Sequence, residues 1–343
     1  MRHLLNTLFV LTADTYLALE NENVVIYGQE NALGRVPLIG LENILYFGFR
    51  GASPALMGEC AKRQIGLCFL RSNGRFLARV CGASSGNVLL RKKQYRISDD
   101  EVESCRIARN FIVGKIYNCR AILERGKRDH PLSLDVARFE EVSRELASSM
   151  RLARKAESLE DLRGIEGNAA RLYFSLFGEL ILQNQKDFPF DGRIKRPPIG
   201  RVNAALSFVY TMLAHDCASA LESVGLDSYV GFLHRDRPGR ESLALDLMEE
   251  FRAFFADRFV LTLINNRVLT PEMFEERENG ATWLTDAGRK AVVGAWQERK
   301  RDTLSHPYLG EKIYWGLVPY VQSLLLARYL RGDLEEYPAF LWK

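Results

Sequence analysis

The sequence predicts an α+β protein, with a small N-terminal mostly-β domain followed by a larger all-α C-terminal domain. Three observations carry this. Short β-rich runs separated by turn formers fill residues 1–80. A small-residue stretch, CGASSG from Cys81 to Gly86, then changes the composition and marks a linker over 81–90. Beyond it, apolar residues recur near the 3.6-residue helical period through 91–343.

In order, strands are expected at 8–11, 16–19, 24–27, 35–38 and 44–49. One helix interrupts them over 53–62, because Ser53 is a good N-cap and Pro54 suits the first helical position. Residues 65–70 return to strand, and Asn73-Gly74 signals a hairpin whose return strand is 76–80. Everything after the linker reads as helical, with helices predicted at 99–125, 133–154, 158–182, 201–224, 242–264, 286–301 and 312–331. Residues 186–198 (KDFPFDGRIKRPP) form a basic, aromatic loop, since prolines remove donors and restrict their neighbours.

Bulk properties narrow the function classes. With 343 residues the chain can bury two cores, and 47% hydrophobic with 26% charged residues is ordinary for a globular protein. A net charge of +4 is too small to argue for nucleic acid alone. Basic clusters recur, however, at Arg91-Lys92-Lys93, Lys127-Arg128, Arg151 to Lys155, Arg193 to Arg201 and Arg299-Lys300-Arg301. They are either phosphate-tracking patches or solvated helix faces. The six cysteines contain no C-x-x-C pair, and most sit in apolar runs, so buried thiols in a reducing, cytoplasmic setting are expected. No apolar run approaches the length of a membrane span. Phosphate loops, G-x-G-x-x-G turns and H-E-x-x-H helices are all missing from the sequence.

The chemistry concentrates in 231–257 (GFLHRDRPGRESLALDLMEEFRAFFAD). An apolar run delivers His234 to the mouth of a helix. On that helix Leu243, Leu247, Met248, Phe251, Phe254 and Phe255 share one face, and Asp246, Glu249, Glu250 and Asp257 the other. Asp246 and Glu249 lie about 4.5 Å apart along the axis, within reach of one ion. Asp257 is about 12 Å beyond Glu249, too far to join them, and Glu250 turns toward the apolar side. Arg252 is placed to touch a phosphate or neutralise a carboxylate. The competing reading is a solvated acidic face paired with Arg240 or Arg252. In GIEGNAARLYF, Glu166 stands between two glycines at what reads as a tightly packed helix start. It is either a functional carboxylate or an ordinary helix-start Glu whose small neighbours serve packing. Asn203, in RPPIGRVNAALSFVY, again implies close helix contact.

GIEGNAARLYF, RPPIGRVNAALSFVYTML and GFLHRDRPGRESLALDLMEEFR, in this order and spacing, resemble the CRISPR-associated integrase/endonuclease family of spacer acquisition, the Cas1 family. The stretches LLNTLFVLTADTYLALENENVVIYG, GASPALMGECAKR, NGRFLARV and GNVLLRKKQYRISDDE are similar to its I-C (Dvulg) subtype. The resemblance implies a homodimer formed largely through the β domains. It implies catalytic metal ligands at Glu166, His234 and Glu249, with Asp246 an accessory acid and Arg252 a basic position one turn on. It further implies Mg²⁺ or Mn²⁺, DNA as substrate, insertion of captured fragments by 3′-hydroxyl attack on a phosphodiester, and the small second adaptation protein, Cas2, as partner. Arg193, Lys195, Arg196 and Arg201 would then hold DNA backbone. The alternative is a non-catalytic helical DNA-binding scaffold.

Overall fold

The computed structural model describes residues 7–41, 43–71, 76–80, 82 and 88–342. The Asn73-Gly74 turn, Cys81 and most of the 81–90 linker therefore lie outside the described residues. The chain divides into two compact units. One comprises Met1–Gly86 with Leu284–Thr303 and Tyr314–Leu317, and the other Asn87–Trp283 with Leu304–Ile313 and Val318–Lys343.

In the first unit, β1 (Thr7–Val10), β5 (Asn43–Tyr46), β6 (Gly66–Leu70) and β7 (Phe76–Val80) form one sheet in the order β1-β5-β6-β7. β5 runs parallel to both β1 and β6, whereas β7 is antiparallel to β6. Helix α1 (Pro54–Arg63) makes the crossover between the parallel pair β5 and β6, which a hairpin cannot supply. Ser53 caps it as expected, its hydroxyl accepting from Leu56 N–H. A second, antiparallel sheet is the meander β2 (Tyr16–Glu20), β3 (Asn23–Tyr27) and β4 (Ala32–Pro37). The two sheets and α1 share one core, in which Leu17, Val24, Ile44, Tyr46, Leu56 and Leu67 are buried.

The second unit is mostly helical. α2 (Val88–Ser98) was not expected from the sequence; Leu90, Gln94 and Ile97 form its buried stripe at helical spacing. It is followed by α3 (Glu101–Asp129), α4 (Val136–Lys155), α5 (Leu159–Phe177) and α6 (Arg201–Ser223). α3 packs against α4 and α5 on one side, and against α7 (Ser242–Glu249) and the following turn on the other. It is the wall that brings the chemistry of α5 and α7 together.

Several expectations are corrected. The predicted helix over 242–264 is not one uniform α-helix: α7 gives way to a π-helical turn, Arg252–Asp257, before α8 (Arg258–Asn265). Its acidic face is not solvated, for Asp246, Glu249, Glu250 and Asp257 are all buried. The helix expected over 158–182 is α-helical only to Phe177; it tightens to a 3₁₀ turn over Gly178–Leu180 and is extended by Ile181. The region beyond 265 also contains four three-residue strands, β8 (Phe274–Glu276), β9 (Thr282–Leu284), β10 (Thr303–Ser305) and β11 (Lys312–Tyr314). β11 occupies the start of the helix expected from 312. The helix that follows α9 (Asp286–Arg301), α10, begins only at Val318, which puts Pro319 in a first turn where its missing N–H is harmless. Cys60, Cys68, Cys105, Cys119 and Cys217 are buried thiols outside any disulfide. No helix among the described residues is long and apolar enough to cross a membrane.

Candidate active site

His234 arrives on irregular chain and is fixed by Asp246. Asp246 is fully buried on α7 and accepts backbone N–H bonds from Phe232 (2.7 Å), Leu233 (2.9 Å) and His234 (3.0 Å). Its Oδ1 also lies 2.5 Å from His234 Nδ1. A carboxylate on Nδ1 orients the ring and leaves Nε2 as the outward lone pair. Gly231 makes the approach possible, since a Cβ there would fall 2.9 Å from Asp246 Oδ2 and from Ser242. From the other side, Arg163 of α5 donates to the Leu233 carbonyl at 2.7 Å. Asp246 is therefore the group that holds the histidine, rather than a second oxygen aimed at an ion beside Glu249.

Glu249, the last residue of α7, is 4% exposed. Arg252 Nη2 stands 2.8 Å from its Oε1, and Lys115 Nζ 2.7 Å from its Oε2. Burial alone would raise the Glu249 carboxyl; the Arg252 and Lys115 cations, with His234 acting in the same direction, outweigh it and hold it below its ordinary value. Both carboxylate oxygens of Glu249 thus face a cation, Oε1 the Arg252 guanidinium and Oε2 the Lys115 ammonium.

Glu166 pairs with the same Lys115 Nζ. It sits two turns inside α5, whose N-cap is Ser158, so it is not the helix-start Glu expected from the sequence. Nor do the flanking glycines serve packing: nothing lies within 4 Å of a Cβ built on Gly164 or Gly167. The half-buried Glu166 carboxylate thus reaches Lys115 of α3, while the glycines beside it border open space.

Two of the three expected ligands, from separate helices, therefore meet at one cation, and the third is fixed to Asp246, three residues before Glu249 on α7. Among the described residues no group of three or more His, Cys, Asp or Glu side chains stands at metal-holding separation. The ammonium occupies the place between the carboxylates. The donor set, two carboxylates from Glu166 and Glu249 and the imidazole of His234, fits Mg²⁺ or Mn²⁺ in kind.

Sequence reasoning missed Lys115. The available signal was its place on α3 midway between Phe111 and Cys119, in the middle of an apolar stripe where a lysine needs an anionic partner. Burial works against its charge, but Glu249 and then Glu166 outweigh that and raise its pKa.

The expected DNA-contacting residues divide. Arg193 is tied inward, donating to Asn203 Oδ1 (2.9 Å) and Ser207 Oγ (3.0 Å), with its guanidinium 5.3 Å from the Tyr210 ring centre. Asn203 in turn donates to Gly192 and Ile199 carbonyls, so it fastens the 186–198 loop to α6 rather than joining two helices. Arg201 donates to the Asp187 carbonyl at 2.6 Å. Lys195 and Arg196 are exposed. Desolvation, then the Arg252 and Lys115 charges, lower the Lys195 ammonium. Arg252 neutralises Glu249, and its guanidinium lies 5.0 Å from the Tyr210 ring centre.

Known proteins share this sequence and fold. The profile of the family "CRISPR associated protein Cas1" matches residues 8–298. The CRISPR-associated endonuclease Cas1 2 of Rhodospirillum rubrum is 49% identical over 347 residues, spanning 100% of both chains. The CRISPR-associated endonuclease Cas1 1 of Chlorobaculum tepidum is 46% identical over 343 residues, again 100% of both. A casposase bound to integration product has the same fold, with a TM-score of 0.85 at 23% identity over 98% of this chain and 94% of that one. The match across most of the length, with relatives alike from end to end, makes this chain a member of the Cas1 family.

Proposed function

We propose that this protein is a divalent-metal-dependent DNA endonuclease and integrase of CRISPR adaptation, joining the 3′-hydroxyl of a captured fragment to a phosphodiester of the repeat. One observation carries the reading. Glu166 and Glu249, brought from α5 and α7, converge on a single cation beside a histidine whose ring is fixed by a buried aspartate. Glu166, Glu249 and Nε2 of His234 would hold Mg²⁺ or Mn²⁺, which when bound polarises a phosphodiester and stabilises charge developing on its oxygens.

The remaining work belongs to the protein. Asp246 keeps the imidazole oriented and its Nδ1 occupied. Arg252 keeps Glu249 ionised despite its burial. The open space beside Gly164 and Gly167 gives a DNA strand access to Glu166. Lys195 and Arg196 hold its backbone, whereas Arg193 and Arg201 shape the loop that carries them.

The same reading includes a homodimer formed through the β domain, Cas2 as partner, a cytoplasmic setting and the I-C subtype. The β domain over 1–80, the linker over 81–90 and the catalytic domain over 91–343 belong to it as well. Glu166→Ala, His234→Ala and Glu249→Ala should each abolish Mn²⁺-dependent cleavage or joining while the protein stays folded. Full activity of His234→Ala contradicts the reading. A second reading, a non-catalytic DNA-binding scaffold, is favoured by Lys115 already neutralising both carboxylates. It predicts salt-sensitive DNA binding and no divalent-dependent chemistry at all.

A further inference from the structure

Lys115 is a buried charged residue whose position the proposed reaction does not by itself explain. Its side chain is 9% exposed and reaches from α3 into the gap between α5 and α7. There its ammonium pairs with Glu166 and with Glu249 Oε2. Arg252 supplies the second cation, on the opposite oxygen of Glu249. Counted formally, two carboxylates face two cations, so the site is neutral without any ion. A divalent ion entering between Glu166 and Glu249 meets a like charge already hydrogen-bonded to the oxygens it needs.

We infer that Lys115 is an internal counter-ion that a divalent cation must displace from Glu166 and Glu249, and that the displaced ammonium then pairs with a DNA phosphate. Lys115 is thus a positioning residue that makes metal and DNA bind cooperatively. In the DNA-free protein the ammonium preserves the spacing of the carboxylates and competes with the metal. Once DNA is present, a phosphate offers the ammonium an alternative partner, and the competition falls. Affinity for metal then rises with DNA and, by linkage, affinity for DNA rises with metal. Lysine suits this part better than arginine, because its point charge rides on a flexible four-carbon stem and can swing between partners. The inference rests on the metal site proposed above and adds to it the order in which its charges are exchanged.

The test is Mn²⁺ binding to the whole protein, followed by electron paramagnetic resonance, without DNA and with a short duplex. Without DNA, Lys115→Met should bind Mn²⁺ between about 5- and 150-fold more tightly than the wild type, the ordinary range of a coupling between sites. The duplex should tighten Mn²⁺ binding by the wild type and leave Lys115→Met nearly unchanged. Lys115→Gln, which keeps a hydrogen-bond donor but no charge, should follow Lys115→Met and covers the case in which the methionine variant fails to fold. Equal or weaker Mn²⁺ binding by a folded neutral variant overturns this inference alone, provided Glu166→Gln and His234→Ala weaken binding. If those two variants bind Mn²⁺ as well as the wild type, the metal lies elsewhere, and both readings fall.

Discussion

Glu249 and Glu250 are consecutive and equally buried at the end of α7, 4% and 0% exposed, but their surroundings differ in kind. Glu249 faces two cations, Lys115 and Arg252, which keep it ionised against its burial. Glu250 turns the other way and meets only neutral donors: Tyr337 Oη–H, the Gln322 amide at 3.2 Å and the Phe340 N–H at 2.5 Å. With no cation to oppose it, burial pushes the Glu250 carboxyl up to about 8. About 100° of helix rotation separates the two residues. It sends one carboxylate to α3 and α5, and the other to the C-terminal segment. There Phe340 stacks on Phe254 at 4.6 Å, and Asn118 donates to both the Glu250 and Phe340 carbonyls. Burial alone thus does not decide whether a carboxyl group is ionised; the charge of its neighbours does.

The largest effect that probes this contrast is on activity. Glu249→Gln should lower Mn²⁺-dependent joining by about 10³-fold or more, the several kcal/mol a bound ion contributes. Glu250→Gln should stay within about tenfold of wild type, a margin of about 1.4 kcal/mol. A folded Glu250→Gln as inactive as Glu249→Gln would erase the distinction. Next comes stability: Glu250→Ala strands the Tyr337, Gln322 and Phe340 donors. Each such loss costs about 1–3 kcal/mol, and thermal unfolding should show a drop that Glu250→Gln largely restores.

Asp246 offers a third case, a buried carboxylate saturated by three backbone N–H groups and an imidazole. Asp246→Asn should weaken metal affinity or activity by about 10–100-fold, the usual price of disturbing a ligand's orienting partner. Titrating Mn²⁺ into the variant measures it.

The last effect concerns pH. Burial raises the Asp257 carboxyl from 3.8 to about 7, despite the Tyr210 hydroxyl it accepts at 2.5 Å and the nearby Arg252 charge. The folded protein then keeps a proton that the unfolded chain has released, so this group's contribution is complete below about pH 4 and is lost as pH climbs to 7. Asp257→Asn should flatten that part of the stability–pH curve, by at most about 1.4 kcal/mol per pH unit. An unchanged slope in urea unfolding between pH 4 and 7 contradicts it.

Much of the fold was legible because its signals are local. Ser53-Pro54 announces α1, and alternating short runs announce the strands of the first unit. The site was legible through motifs whose residues lie tens of positions apart, and the physics of any single helix did not choose among four carboxylates. The acidic face of 242–264 misled because each carboxylate finds its partner far along the chain: Lys115 for Glu249, Tyr337 for Glu250, Tyr210 for Asp257. The π-helical turn at Arg252–Asp257 escaped for a related reason, since steps of 100° assume the regular helix that the turn interrupts. Lys115 stood in an apolar stripe, and only a demand that every buried charge have a partner would have picked it out.

The most direct measurement is anomalous diffraction from crystals of the protein grown with Mn²⁺ and a DNA end. The account predicts one manganese peak within about 2.2 Å of carboxylate oxygens from Glu166 and Glu249 and of His234 Nε2, with Lys115 Nζ moved off both carboxylates toward a phosphate. A peak held by other residues, or Lys115 still paired with Glu166 and Glu249 beside a bound ion, would contradict it.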